Sequence, residues 1–127
     1  MNYTLLITAS PTASRSGLTA LRFARALLTR GHQLPLVFFL DEGTRTGTAA
    51  ASTPSDETDL LAGWVELAGD TTELVLCVSS AQRRGLLDAT AAQREDSEAT
   101  VHPAFRLGGL GELVEALATS DRVVTFG

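Results

Sequence analysis

Residues 74–85 read Leu-Val-Leu-Cys-Val-Ser-Ser-Ala-Gln-Arg-Arg-Gly and place the only cysteine of the chain, Cys77, between an apolar run and a polar segment. The run from Leu74 to Val78 has the length and composition of a strand that is buried on both faces. The following segment, Ser79 to Leu87, is predicted to begin a short helix. A strand that ends where a helix begins is the repeating unit of a parallel α/β sheet, so this stretch indicates the fold.

The same alternation extends in both directions along the chain. Further strands are predicted at Tyr3–Thr8, Leu34–Leu40, Val101–Phe105 and Asp121–Phe126. Helices are predicted from Leu18 to a C-cap at Gly31, from Ser55 to Ala68, and after the glycines of residues 108–111, where Leu110, Leu113, Val114 and Leu117 share one side. The sequence therefore predicts a single domain over residues 1–127, a three-layer α/β/α domain with a parallel sheet of about five strands.

Residues 41–54, between the second strand and the next helix, are rich in Gly, Thr, Ala and Ser and show no periodicity. We expect this segment to be a long mobile loop, since it offers few large apolar side chains for packing. Because it follows a parallel strand, it should emerge at the same carboxyl edge of the sheet as Cys77.

Composition excludes several classes of function. The formal net charge is −5, and the ten basic residues are all arginine. An acidic domain gains little from counterion release, so direct binding to nucleic acid is not expected. The absence of lysine excludes Schiff-base chemistry and a P-loop. No apolar run is long enough to span a bilayer, and the first residues do not resemble a secretory signal, so we expect a cytoplasmic protein that does not bind membranes.

Cys77 is the candidate catalytic residue. A thiol at the carboxyl end of a central strand, just before a helix, lies where unpaired backbone N–H groups stabilise an anion, and Arg83 and Arg84 follow within two turns. A buried cysteine that acts only as a small hydrophobic residue remains the alternative, and so does a solvated helix face for the two arginines. A single cysteine with His32 and His102 is too few and too scattered for a structural zinc site, so no metal site is expected.

Residues 76–88 resemble the cysteine segment of the TusD/DsrE family of sulfur-relay proteins. The resemblance continues in order along nearly the whole chain, at residues 21–24, 31–32, 37–39, 42–43, 54–57 ahead of Trp64, 105–107, 109–111 and 121–124. The sequence departs from the family pattern at Leu40, where an aromatic residue is usual, and at Ser79 and Ser80, which replace small apolar residues. Residues 44–53 also match poorly.

The resemblance implies a DsrE-like fold and a sulfurtransferase in which Cys77 carries a persulfide without a cofactor. It also implies a complex with TusB-like and TusC-like sister chains, the equivalents of DsrH and DsrF. A TusA-like donor would supply the sulfur and a TusE-like (DsrC-like) acceptor would receive it, for 2-thiolation of the wobble uridine in tRNA. A DsrE-like role in dissimilatory sulfur oxidation is the alternative within the family.

Two other classes of function stay open: a non-catalytic scaffold subunit with a buried Cys77, and a flavodoxin-like nucleotide binder using residues 108–111. The glycine segment lacks the acidic residue expected downstream of a nucleotide-binding loop. We expect the chain to be part of an oligomer, with Trp64, Phe105 and Leu107 as candidate contact residues, although Trp64 also fits the core. His32 is expected to cap the carbonyl groups at the end of the first helix.

Overall fold

The central sheet is parallel, as the alternating pattern predicts. The computed structural model describes residues 1–69 and 71–127. In these residues the strands are β1 (Asn2–Ile7), β2 (Gln33–Phe39), β3 (Glu73–Cys77), β4 (Phe105–Gly108) and β5 (Arg122–Phe126). They form a five-stranded sheet in the order β4-β3-β2-β1-β5. The predicted number and direction of the strands are therefore confirmed.

Helices connect the strands and lie against both faces of the sheet. The described helices are α1 (Ser16–Thr29), α2 (Leu60–Leu67), α3 (Val78–Arg83), α4 (Ala89–Arg94) and α5 (Leu110–Thr119). A 3-10 helix, Asp41–Gly47, follows β2 and is called the 3-10 segment below.

The central strands β2 and β3 alternate their side chains between two apolar clusters, as strand geometry requires. The larger cluster packs the sheet against α1 and α2 and includes, from these strands, Val37, Phe39, Leu74 and Leu76. The smaller cluster lies on the opposite face with Leu113 of α5 and includes Leu36, Phe38, Val75 and Cys77. The predicted three-layer architecture is confirmed, and Cys77 belongs to the face that α5 covers.

Trp64 and Phe105 belong to the core and not to an exposed contact surface. Both are buried, and both rings pack against Phe39 with centroids 5.6 Å away. The core interpretation of Trp64 is confirmed, whereas the proposed use of these two side chains in contacts with other chains is wrong. Leu107, the third candidate contact residue, is partly buried against the same core.

The apolar side chains of α5 are divided between core and solvent. Leu113 is buried, but Leu110, Val114 and Leu117 are exposed, with Val114 keeping 63% of its surface. Residues at these positions lie on one side of a helix. We call these three exposed residues the α5 apolar face.

Helix α1 ends with the C-cap that the sequence predicts at Gly31. Gly31 has φ +82° and donates its N–H to the Leu28 carbonyl, and the N–H of His32 donates to the Leu27 carbonyl. This pair of bonds satisfies carbonyl groups that the helix leaves unpaired. The imidazole of His32 has another role: it packs edge-on against Tyr3, and its Nδ1 lies 3.3 Å from the amino terminus.

Three predicted elements have a boundary that differs from the structure by more than two residues. The fourth strand is Phe105–Gly108 and not Val101–Phe105, because Val101 forms an isolated antiparallel bridge with Thr48 and Pro103 lies in the turn that follows. Helix α2 begins at Leu60, where Asp59 accepts the N–H of Ala62, and not at Ser55. Helix α3 ends at Arg83.

Residues 41–47 are not the irregular loop that their composition predicts. Gly43, Thr44, Thr46 and Gly47 are buried. A Cβ atom on Gly43 would lie 2.1 Å from the Ile7 carbonyl oxygen, so only glycine permits this close approach to β1. The 3-10 segment is therefore held against β1 by close backbone packing and not by large apolar side chains.

Candidate functional site

Cys77 is the last residue of β3 and the N-cap of α3. Its backbone has φ −58° and ψ 121°, which are not helical values, and the helix begins at the next residue. The predicted location at the carboxyl end of a central strand, immediately before a helix, is confirmed. In parallel α/β sheets this edge is the usual place for ligands and reacting groups.

The Cys77 side chain is enclosed, with only 1% of its residue surface exposed. Its apolar neighbours in the smaller cluster include Phe38, Val75 and Leu113. On the polar side, the hydroxyl oxygen of Ser79 lies 3.4 Å from Sγ, within hydrogen-bond distance for sulfur. The thiol therefore has apolar side chains on one side and the Ser79 hydroxyl group on the other.

The environment lowers the pKa of the Cys77 thiol below its ordinary value. Burial alone raises this pKa, because it disfavours the charged form. The hydroxyl groups of Ser79 and Ser80 oppose burial, and their backbone N–H groups act in the same direction. The net result favours the thiolate, which is the nucleophilic form of cysteine.

Ser80 connects the cysteine turn to the 3-10 segment. Its side chain is buried, and its Oγ accepts the backbone N–H of Asp41 at 3.1 Å. Asp41 has φ +53°, a left-handed conformation that Asp tolerates better than most residues. The prediction that residues 41–54 begin beside Cys77 is therefore confirmed for their first residues, and the mobility of the remainder stays a prediction.

Arg84 and Glu42 form a second connection between the same two elements. The guanidinium Nε of Arg84 donates to the Glu42 carboxylate, and its Nη1 donates to the Ser80 carbonyl oxygen at 3.0 Å. Arg45 donates to the same carboxylate at 2.9 Å. These two arginines lower the pKa of Glu42. Among the described residues, Arg84 therefore binds the 3-10 segment and donates no hydrogen bond to the sulfur.

Arg83 is exposed on the surface of α3, as the alternative interpretation of this residue predicted. In residues 1–69 and 71–127, its guanidinium group has no recorded hydrogen bond or ion pair with Cys77. The groups that lower the thiol pKa are hydroxyl and backbone N–H groups, and neither arginine is among them. The hypothesis that Arg83 and Arg84 stabilise the thiolate is therefore not supported.

The glycine segment 108–111 lies beside the cysteine in the sheet. Gly108 of β4 is paired with Cys77 of β3, and Gly109 is the N-cap of α5. Leu113, in the first turns of that helix, packs in the cluster that holds the thiol. The segment places α5 over the sulfur.

A cleft of about 520 Å³ lies between the loop after β1 and residues 45–61. Its lining includes Pro11, Arg45, Thr46, Pro54 and Leu60, but Cys77 does not line it. In residues 1–69 and 71–127 no group of three or more His, Cys, Asp or Glu side chains is arranged to hold a metal ion. No helix in the same residues has the length and hydropathy to cross a membrane.

Ser79 is the site residue that sequence reasoning missed. Its hydroxyl group was visible only as a departure from the family pattern, next to an equally polar Ser80. Whether the hydroxyl group of Ser79 or that of Ser80 lies beside the sulfur depends on the directions of their side chains in the first turn of α3. The ion pair between Glu42 and Arg84 was missed as well, because its two partners are 42 positions apart in the sequence.

The fold and the site together define a class: a parallel α/β domain with one cysteine at the carboxyl end of a central strand. The model of the DsrE/DsrF-like family matches residues 1–126. The chain therefore belongs to the DsrE/DsrF-like family.

Sequence relatives match almost the full length of the chain. The DsrE protein of Allochromatium vinosum is 40% identical over 129 residues, which cover 100% of this chain and 99% of the relative. Sulfurtransferase TusD of Pectobacterium carotovorum is 42% identical over 129 residues, with 99% of each chain covered. The crystal structure of the YchN protein from E. coli superposes with a TM-score of 0.78 at 21% identity, covering 99% of this chain and 100% of that one, which confirms the fold.

Proposed function

We propose that the protein is a sulfurtransferase subunit that carries sulfur as a persulfide on Cys77. The observation that carries the proposal is the position of this thiol, which ends a central strand, begins a helix and has a lowered pKa. The relative named sulfurtransferase TusD, which aligns over the full length, supports the same activity.

The chemistry requires only thiols. The Cys77 thiolate attacks the outer sulfur of a donor persulfide, the donor's S–S bond breaks, and the donor cysteine leaves as a thiolate. An acceptor thiolate then attacks the outer sulfur on Cys77, which leaves in turn as a thiolate. Each step moves one sulfur atom with no net oxidation.

The proposed transfer needs other proteins. The chain contains a single cysteine, so it has no second thiol to release the sulfur as an internal disulfide. The enclosed thiol must also become accessible when a donor or acceptor docks, because exchange rates depend on access. We infer a complex with TusB-like and TusC-like sister chains, loaded by a TusA-like donor and unloaded by a TusE-like acceptor.

The end of this relay is proposed to be 2-thiolation of the wobble uridine in tRNA. The acidic chain is suited to passing sulfur between proteins and not to holding the tRNA itself. A DsrE-like role in dissimilatory sulfur oxidation is the second candidate, favoured by the 40% identity to the Allochromatium protein. Thiolated uridine in tRNA from cells with and without the gene distinguishes them, because only the first role predicts its loss.

Mass spectrometry of the intact chain tests the proposal directly. After incubation with a persulfide-loaded donor, the wild type should gain one sulfur atom that a reductant removes, and the Cys77→Ser variant should gain none. Ser55→Ala, on an exposed serine, controls for handling. A wild type that folds but takes up no sulfur would favour the scaffold alternative, in which Cys77 is only a packing residue.

A further inference from the structure

Two serines follow Cys77, and the structure gives their hydroxyl groups different partners. Ser80 is buried and accepts the backbone N–H of Asp41. Ser79 is half-buried, and in the described part of the chain the recorded hydrogen-bond partner of its hydroxyl is the sulfur of Cys77, at 3.4 Å. One hydroxyl group therefore supports the 3-10 segment, and the other is directed at the thiol.

The direction of the hydrogen bond follows from the charge on sulfur. A neutral thiol can donate or accept, but a thiolate can only accept, so the Ser79 O–H must be the donor once Cys77 ionises. Hydrogen bonds to ionised groups are stronger than those between neutral groups. The apolar neighbours of Cys77 on the other side offer no donor. Of the two hydroxyl groups that lower the thiol pKa, that of Ser80 also accepts the Asp41 N–H, whereas that of Ser79 lies within hydrogen-bond distance of the sulfur.

We propose that Ser79 is a positioning residue for sulfur transfer, whose hydroxyl group donates to the Cys77 thiolate both when it attacks the donor and when it leaves. This inference rests on the proposed function. It concerns a feature in which this sequence differs from the TusD/DsrE pattern, where small apolar residues usually follow the cysteine. The hydroxyl is not consumed, and no proton leaves Ser79.

A thiolate titration of the purified full chain tests the proposal without requiring a reagent to reach the sulfur. Because Cys77 is the only thiol, the ultraviolet absorbance of its thiolate against pH, with Cys77→Ser as the blank, reports one group. In Ser79→Ala the midpoint should rise by roughly 0.5 to 1 pH unit, since a charge-assisted hydrogen bond is lost. At pH values where the thiolate is the minor form, its fraction should then fall about threefold to tenfold.

Two variants separate positioning from a general effect on folding. Ser79→Thr keeps a hydroxyl group and should titrate close to the wild type, and Ser55→Ala should not move the midpoint. An unchanged midpoint in Ser79→Ala would overturn the proposal, and so would an equal rise in Ser79→Thr.

Measuring persulfide uptake by the same variants separates a failure of this inference from a failure of the proposed function. Slower loading of Ser79→Ala at neutral pH, restored in Ser79→Thr, supports both ideas. If the wild type takes up no sulfur but the thiol midpoint still rises in Ser79→Ala, the proposed function is contradicted. The role of Ser79 toward the thiolate is then still supported.

Discussion

The guanidinium group of Arg84 binds the carboxylate of Glu42, which lies 42 positions earlier in the chain. The same guanidinium group donates to the carbonyl oxygen of Ser80. Arg84, at the end of α3, therefore connects the 3-10 segment to the first turn of α3, which follows Cys77. The partial exposure of both side chains limits the strength of this ion pair, so its effect should be local.

Replacing Arg84 with alanine should loosen the 3-10 segment without changing the charge state of the thiol. Amide hydrogen exchange in residues 41–47 should accelerate, because two hydrogen bonds from Arg84 are lost. Arg83→Ala is the matched control, since it removes the neighbouring but exposed arginine. A rise in the thiol pKa of Arg84→Ala alone would contradict this division of roles.

The lowered pKa of Cys77 should make the stability of the protein depend on pH in a defined direction. Between the folded pKa and the unfolded value of about 8.5, the unfolded chain binds more protons, so the free energy of unfolding rises with pH. This contribution is complete above the unfolded pKa and is lost as pH falls through the folded pKa.

The Cys77→Ser variant lacks this contribution and supplies the comparison. Urea unfolding under reducing conditions should show the wild type gaining stability relative to Cys77→Ser as pH rises from about 6 to about 9. A difference that stays constant, or that shrinks with rising pH, would mean that the thiol pKa is not lowered by folding.

Trp64 should be a major source of stability. It is fully buried and packs edge-on against Phe39, so Trp64→Ala should lower the free energy of unfolding by about 3 to 5 kcal/mol. Leu117→Ala, on the exposed side of α5, should change it by less than about 0.5 kcal/mol. Similar losses in the two variants would place Trp64 outside the core.

The α5 apolar face should govern association with other chains. The double variant Val114→Gln, Leu117→Gln should reduce self-association of the isolated protein and binding to co-expressed sister chains, because exposed apolar side chains favour burial in contacts. Leu28→Gln changes an exposed leucine on α1 and serves as the control. Light scattering measures both. Unchanged association in the double variant, or an equal loss in the control, would exclude this face as the contact surface.

The apolar runs were sufficient to predict the sheet, because β1, β2 and β3 are flanked by other strands and read as continuous hydrophobic segments. β4 was placed too early because it is an edge strand. Its Arg106 is paired with Glu73 and Glu112 at 2.6 Å, so the strand contains a charge where the pattern predicts apolar residues.

The site could be predicted only in part. The location of Cys77 at the end of β3 followed from the alternation of strands and helices, whereas the contacts of Ser79, Ser80 and Arg84 depend on side-chain directions across the turn. The 3-10 segment was missed because Gly43 and its small neighbours pack through the backbone, which leaves no periodic pattern in the sequence.

Under the proposed function, the side chains that enclose Cys77 would also determine how long a bound sulfur atom survives. An exposed persulfide is consumed by any small thiol in solution, whereas Phe38, Val75 and Leu113 restrict access to the sulfur of Cys77 from one side. A loaded, folded chain should therefore lose its sulfur to a small thiol much more slowly than the same chain in urea, and equal rates would contradict this. Under the proposed function, the apolar side chains that make the thiol hard to reach would also prolong the lifetime of the carried sulfur atom.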